Sequence, residues 1–201
     1  MPLTSRSATD WPLVWLLFLV GVAVAAQIGK VPPTLPLIRA ELGIDLRAAG
    51  WFVSLVNLTT ALAGVLAGLT ADRVGHRRLV IGGLVVGLAA SALGALTNDV
   101  VLLFVCRVAE GAGLLAVVVS LPSMLLRISA GHDAPSVMAL WGTYLPAGAG
   151  LMALACAGLL TVAGWRGVWW ATVAVLTIAV LAILWSQAGR GANAPSRSGG
   201  A

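Results

Sequence analysis

The feature that most constrains this chain is a series of long runs of residues that carry almost no charge. A helix needs about 20 apolar residues to cross the ~30 Å hydrocarbon core of a bilayer. The runs cover residues 11–29, 48–71, 79–98, 100–126, 134–165 and 167–189. They lack the wide polar stripe of a surface helix and the period-two alternation of a transmembrane strand. The sequence therefore predicts an all-α membrane protein with six transmembrane helices.

Composition and charge exclude the soluble classes of protein. Charged residues make up 9% of the chain, whereas a soluble domain carries about 25%. The formal net charge of +5 comes from bases scattered between the apolar runs, so we expect no nucleic-acid partner. Cys106 and Cys156 lie inside apolar runs and are expected to pack in the core. The predicted domains are a cytoplasmic segment (1–11), a transmembrane domain (12–186) and a disordered cytoplasmic tail (187–201).

The bases also predict the orientation of the chain in the cell (inner) membrane. With a cytoplasmic N-terminus, the cytoplasmic side receives Arg6, Arg73, Arg77, Arg78, Arg127, Arg190 and Arg197, and the outside receives Arg39, Arg47 and Arg166. This distribution favours a cytoplasmic location for both termini. One alternative remains open, because Arg6, the apolar stretch after it and Ala23-Val24-Ala25 resemble a cleavable signal peptide. Cleavage there would leave five spans.

The connection between the second and third runs carries an ordered pattern of glycines, a carboxylate and bases. It consists of Gly68, Asp72, Arg73, Gly75, His76, Arg77 and Arg78. A glycine at the membrane boundary permits close helix approach, a second one permits a turn, and arginines anchor the loop at an anionic surface. The pattern resembles the signature loop between helices 2 and 3 of the major facilitator superfamily, with His76 in place of one base.

Helix 4 adds a second match to this family. Arg107, Glu110 and Gly111 resemble the helix-4 motif, with Glu110 at a position that is often Gln. Weaker matches follow in Trp141, Gly142, Tyr144, Pro146, Gly150 and the tripeptide Gly164-Trp165-Arg166. The segment around Trp141 and Tyr144 is similar to the cyanate-permease-like branch.

The resemblance implies a fold and a mechanism. The fold would be one six-helix half of a transporter, built as a three-plus-three inverted repeat. Gly68, Asp72, Arg73, Gly75 and Arg77 would form its conformational-switch loop. No cofactor is implied, although transport could be coupled to a proton gradient.

Three charged residues, Lys30, Arg107 and Glu110, are predicted to lie within spans. Each would cost several kcal/mol if it faced lipid, and about 2.5–3.5 for a base on insertion scales. We therefore expect them to form one interior cluster on helices 1 and 4 that opens toward a central cavity. Gln27 and Tyr144 are further candidates for substrate or coupling contacts. The alternative is a structural contact between Arg107 and Glu110 at i, i+3, with Lys30 snorkelling outward and Tyr144 serving only in packing.

These observations predict a secondary active transporter (permease) of a small, anionic solute. Six helices form only one half, so the chain would need a homodimer partner or a separate C-terminal six-helix half. The alternative is a truncated or split fragment that inserts into the membrane and transports nothing. No catalytic or metal-binding constellation is evident in the sequence, so the chain is not expected to be an enzyme.

Overall fold

The computed structural model describes the backbone of residues 8–192 and the side chains of residues 8–61 and 75–186. Throughout the described backbone the regular structure is helical, with no strand. Its helical segments are α1 (Trp11–Gly29), α2 (Val31–Leu42), α3 (Leu46–Val74), α4 (His76–Leu96), α5 (Val100–Ile128), α6 (Ala134–Gly142) and α7 (Tyr144–Ala192). The predicted all-α fold class is confirmed.

Several of these segments can cross a membrane. Among the described residues, four helical stretches are long and apolar enough to do so: Trp11–Leu42, His76–Leu96, Val100–Ile128 and Ala134–Ser186. Helix α3 has 29 residues, but the side chains of its second half lie outside the described part. The chain is therefore a multi-pass membrane protein.

The long helix α7 folds back on itself at Gly164. This glycine has φ 62° and ψ −168°, a backbone conformation that side chains rarely tolerate. Val168 packs in one apolar cluster with Met152 and Cys156. In a straight helix Val168 and Met152 would be about 24 Å apart, at 1.5 Å per residue. The two parts of α7 are therefore antiparallel. The reversal lies at Gly164, next to the predicted boundary between the fifth and sixth apolar runs.

A break separates α1 from α2 at Lys30. The Lys30 N–H still donates to the carbonyl of Ala26 at 3.1 Å, so the chain continues in helical geometry. Pro32 and Pro33 then follow, and their missing N–H groups leave the carbonyls of Ile28 and Gly29 without helical partners. The first span therefore extends as far as Leu42, with a weakened hydrogen-bond ladder beside Lys30.

A second break differs from the prediction of one continuous fifth helix over residues 134–165. Helix α6 ends at Gly142, and α7 starts at Tyr144. The intervening Thr143 N–H donates to the carbonyl of Leu140 in a tighter turn. Pro146 has no N–H to offer the carbonyl of Gly142, which explains why the regular ladder stops there.

Glycines allow the helices to approach closely at two crossings. A Cβ added at Gly83 of α4 would lie 2.6 Å from the carbonyl of Gly113 in α5. A Cβ at Gly29 of α1 would overlap the backbone of Ala149 in α7, and one at Gly148 would overlap the carbonyl of Val22. Such small-residue contacts hold helices together in lipid, where helix association gains little from the hydrophobic effect.

At one end of the bundle, Arg166 joins three connections. Its guanidinium pairs with Glu41 at the end of α2 and donates to Asn98 Oδ1 at 2.6 Å and to the Thr97 carbonyl at 3.2 Å. It also lies 4.2 Å from the ring centroid of Trp165, whose Nε1 donates to Glu41. At the opposite end, the Asp10 N–H donates to the Ile128 carbonyl at 3.1 Å. The ends of the bundle are thus tied by polar contacts between segments distant in sequence.

Replacing Arg166 by Gln should lower the stability of the bundle. The ion pair with Glu41 is partly exposed and adds at most ~1 kcal/mol, but the substitution also removes bonds to the α4–α5 turn. We expect a loss of about 1–2 kcal/mol, measured as a lower Tm in thermal unfolding of the detergent-solubilised protein. Arg47→Gln is the matched control, because Arg47 is an exposed arginine near the start of α3. Equal effects of the two substitutions would contradict a tying role for Arg166.

Candidate functional site

The interior of the bundle contains a cluster of polar and charged side chains. Gln27, Lys30, Ser91 and Glu110 are 0% exposed, and Arg107 is 1% exposed. Gln27 comes from α1, Lys30 from the α1–α2 break, Ser91 from α4, and Arg107 and Glu110 from α5. Three separate parts of the chain therefore converge on one buried site, which we call the Glu110 cluster.

Glu110 is the centre of the cluster. Its Oε1 accepts hydrogen bonds from Lys30 Nζ and from Ser91 Oγ, both at 2.5 Å. Its Oε2 pairs with the Arg107 guanidinium one helical turn earlier. Lys30 Nζ also donates to Ser91 Oγ at 3.0 Å. Both carboxylate oxygens are therefore used, and the negative charge is shared between two buried cations.

Aromatic rings complete the surroundings of the two cations. Lys30 Nζ lies 4.3 Å from the ring centroid of Trp169, and Arg107 Cζ lies 5.5 Å from that of Phe52. Arg107 Nη1 also donates to the carbonyl of Gln27 at 3.4 Å. A ring face attracts a cation, and the attraction is stronger where water is excluded. Each base therefore has one charged partner and one aromatic partner.

The charges of the cluster do not cancel. Two bases and one carboxylate leave one formal positive charge in the interior. Arg107 Nη1 donates to the Gln27 carbonyl, so one backbone dipole of α1 faces this excess charge. The carbonyls of Ile28 and Gly29, which Pro32 and Pro33 deprive of helical donors, follow directly in the chain.

Helix α4 accommodates the cluster through a face of small residues. Ser91 lies between Gly87 and Gly94 on this face. A Cβ at Gly87 would lie 2.9 Å from Gln27 Nε2, and one at Gly94 would lie 2.9 Å from Trp169 Nε1. Within the described part of the chain, neither the Gln27 amide nor Trp169 Nε1 has a hydrogen-bond partner. Both polar groups are therefore available to a water molecule or a solute that enters the site.

Most of the sequence-predicted candidates within the membrane meet at this site. Lys30, Arg107 and Glu110 are in contact, and the Gln27 backbone joins them through Arg107. The cluster does not open toward a cavity as expected, because α1, α4, α5 and α7 close around it. Snorkelling of Lys30 is contradicted by its 0% exposure. Arg107 and Glu110 do form the i, i+3 contact of the alternative prediction, but Glu110 also contacts Lys30 and Ser91.

Tyr144 lies away from the cluster. Its ring stacks on Trp141 with 4.1 Å between centroids, and a Cβ at Gly21 would lie 3.4 Å from Tyr144 Cβ. Gly21 precedes Lys30 by about 13 Å along α1, at 1.5 Å per residue. Tyr144 therefore faces a different level of the bundle, close to the Thr143 break.

The predicted switch loop is only partly visible. The side chains of Gly68, Asp72 and Arg73 lie outside the described residues. Gly75 has φ 92° and immediately precedes α4 as its N-cap, so this glycine provides the turn that the sequence predicted. Arg77 is exposed in the first turn of α4.

The structure also places residues in the site that sequence reasoning missed. Ser91, Phe52 and Trp169 all contact the charged cluster. Ser91 could have been found, because it interrupts a glycine face of α4 that recurs at Gly83, Gly87 and Gly94. Phe52 and Trp169 carry no local signal, since their contacts depend on how distant helices are rotated.

Fold and site together define a multi-pass helical membrane protein with a buried ionic cluster. Residues 13–200 match the family model of the Major Facilitator Superfamily. The chain therefore belongs to this superfamily. The narrower cyanate-permease-like assignment stays a prediction.

Named relatives agree with the family. An uncharacterised MFS-type transporter of Mycobacterium tuberculosis, Rv1250, is 26% identical over 89% of this chain and 31% of its own length. The cephamycin export protein CmcT of Amycolatopsis lactamdurans is 33% identical over 55% of this chain and 23% of its own. The lincomycin resistance protein of Streptomyces lincolnensis is 24% identical over 90% of this chain and 37% of its own length. The chain thus spans roughly a quarter to a third of the length of these relatives.

Proposed function

We propose that this chain is the N-terminal half of a secondary active transporter for a small, anionic solute. The observation that carries the proposal is the Glu110 cluster, in which three ionisable side chains are fully buried beside a helix break. Ionisable residues inside membrane spans are expensive and generally mark solute, ion or proton pathways. In a transporter of this superfamily, such a cluster is the natural candidate for solute binding or for coupling.

The proposed architecture has six spans arranged as a three-plus-three inverted repeat. The reversal at Gly164 divides the stretch Ala134–Ser186 into two antiparallel helices, and α3 is long enough to form a further span. Under this arrangement α1 and α5 occupy equivalent positions in the two repeats. Lys30 belongs to the first and Arg107 with Glu110 to the second, which supports a functional site at the repeat interface.

The excess positive charge of the cluster supports an anionic solute. An anion would balance the charge of Lys30 and Arg107, while Glu110 modulates that charge or carries a coupling proton from a proton gradient. Gln27 offers a free amide, and Tyr144 would contact the solute elsewhere on its route. Because the cluster is occluded, access requires helices to part, and the α1–α2 break beside Lys30 is suited to such bending.

In the proposed architecture, the six helices supply only one half of the translocation route. We propose that a second copy, a separate C-terminal six-helix half or further helices of a longer protein complete the transporter. Gly68, Asp72, Arg73, Gly75 and Arg77 would form the switch loop against that second half. The names of two relatives refer to export of, or resistance to, antibiotics, which supports movement of a small organic solute. The alternative of an inserted fragment without transport predicts no partner and no flux.

The proposed location is the cell (inner) membrane with both termini cytoplasmic, because seven arginines then lie inside and three outside. Alkaline phosphatase fused after residue 186 should be inactive, and green fluorescent protein at the same position should fluoresce. Fusions at Asn98, in the α4–α5 turn, should give the opposite result. An active phosphatase after residue 186 would reverse the proposed orientation.

The test of function is flux in proteoliposomes that contain the purified protein together with any partner that co-purifies. A panel of small organic anions and neutral analogues of similar size should be offered with and without an imposed proton gradient. We expect gradient-dependent accumulation of at least one anion and none of its neutral analogue. Accumulation of neutral solutes only would contradict the anionic assignment, and absence of any flux would favour the inert fragment.

A further inference from the structure

An apolar groove of about 340 Å³ runs along the outside of the bundle between α4 and α5. Gly82, Gly83 and Val86 of α4 line it together with Ala112 and Ala116 of α5. Of the described residues that line it, Arg78 alone is charged, and it lies at the mouth of the groove near the start of α4. From Arg78 to Val86 the groove extends about 12 Å along the helix, at 1.5 Å per residue.

The groove results from the close crossing of the two helices. Gly83 and Gly113 are in backbone contact, and the flanking Gly82 and Ala112 have no side chains large enough to fill the space beside the crossing. Among the described residues, nothing lies within 4 Å of a Cβ added at Gly82, and no described side chain fills the space on the outer side of α4 and α5.

The mouth of the groove is positively charged. Arg77 and Arg78 are both exposed in the first turn of α4, and none of the described carboxylates pairs with either guanidinium. Val80 and Leu84 of α4 share an apolar cluster with Val14, Leu125 and Ile128, so this mouth lies at the end of the bundle where Asp10 contacts Ile128. Arg77 and Arg78 are thus at the membrane edge, where lipid phosphates are found.

We propose that this groove binds one anionic phospholipid. Its phosphate would pair with Arg78, and one acyl chain would lie along Gly82 and Val86. The shape and the charge favour this occupant over a helix of another protein. A helix would cover the Arg78 guanidinium with apolar surface, whereas a phosphate neutralises it. Juxtamembrane bases near a bilayer surface each contribute ~1 kcal/mol to the attraction of anionic lipid.

The proposal can be tested by native mass spectrometry of the detergent-solubilised protein titrated with phosphatidylglycerol or phosphatidylcholine. Arg78→Gln should weaken phosphatidylglycerol binding about five-fold, which corresponds to ~1 kcal/mol. Gly82→Leu should weaken it by a similar factor, because the new side chain fills the groove without meeting protein atoms. Arg127→Gln and Gly50→Leu are the matched controls, an exposed base at the end of α5 and an exposed glycine with nothing near its Cβ position.

Other outcomes would overturn the proposal. If Arg78→Gln and Arg127→Gln weaken phosphatidylglycerol binding equally, the lipid is attracted by the overall positive charge of the surface and not by a specific site at Arg78. Unchanged binding in Gly82→Leu would mean that no acyl chain occupies the groove. Phosphatidylcholine binding as tightly as phosphatidylglycerol would remove the role of headgroup charge. Binding of water-soluble glycerol phosphate at the same concentrations would identify a phosphate site without a lipid.

Discussion

Replacing Glu110 by Gln is expected to destabilise the protein strongly. The substitution leaves Lys30 and Arg107 buried without a counter-charge, and breaking a buried pair in this way costs about 3–5 kcal/mol. For a chain of this size such a loss corresponds to a decrease in Tm of about 10 °C. Thermal unfolding of the solubilised protein, followed by tryptophan fluorescence, measures the effect.

The matched control for Glu110→Gln is Asp99→Asn. Asp99 is exposed and caps α5 by accepting from the Val101 N–H at 2.7 Å, a role that Asn fills equally well. Adding Lys30→Met to Glu110→Gln should restore part of the lost stability, since it removes one of the two unpaired cations. A wild-type Tm in Glu110→Gln, or no recovery in the double variant, would contradict the assignment of Glu110 as the shared counter-ion.

The second large effect is expected from Gly29→Leu. A Cβ at this position overlaps the backbone of Ala149, so α1 and α7 must separate to admit any side chain. Overpacking of a close crossing costs about 3 kcal/mol, and backbone on the opposite side cannot move aside as a flexible side chain can. We expect a decrease in Tm of about 6–12 °C and a loss of folded protein in size-exclusion chromatography.

Gly50→Leu is the control for this substitution, because nothing lies within 4 Å of a Cβ added at Gly50. It introduces the same side chain on an exposed face of α3 and should leave Tm within about 2 °C of wild type. If Gly29→Leu and Gly50→Leu unfold at the same temperature, α1 and α7 do not cross as closely as described.

The sequence predicted the charged part of the site because a bilayer leaves few positions for charged side chains. Lys30, Arg107 and Glu110 could not face lipid cheaply, and helical periodicity puts residues 107 and 110 on one face. Lys30 was included because the resembling family is built as an inverted repeat, in which the first and fourth spans (α1 and α5 here) are equivalent. The 2.5 Å contact between Lys30 Nζ and Glu110 Oε1 agrees with this prediction.

The sequence did not predict how tightly the site is closed. Trp169 reaches Lys30 from a helix 139 positions further along the chain, and its indole lies against Gly94 of a third helix. Such contacts depend on helix rotation and crossing geometry, which apolar runs do not encode. The same applies to Tyr144, whose place beside Trp141 follows from the Thr143 break. That break arises from Pro146, a residue that the run-length analysis placed inside one continuous helix.

The most direct test of the central claim separates the fold from the function of the Glu110 cluster. A triple variant, Lys30→Met with Arg107→Met and Glu110→Met, replaces the cluster by apolar side chains of similar length. Replacing a whole buried ionic group in this way is often neutral or stabilising, so the variant should fold with a Tm near that of wild type. Solute flux should be measured in proteoliposomes under an imposed proton gradient, with wild-type protein alongside. We expect accumulation by the wild type and none by the folded triple variant, whereas equal accumulation by both would show that the cluster has no part in transport.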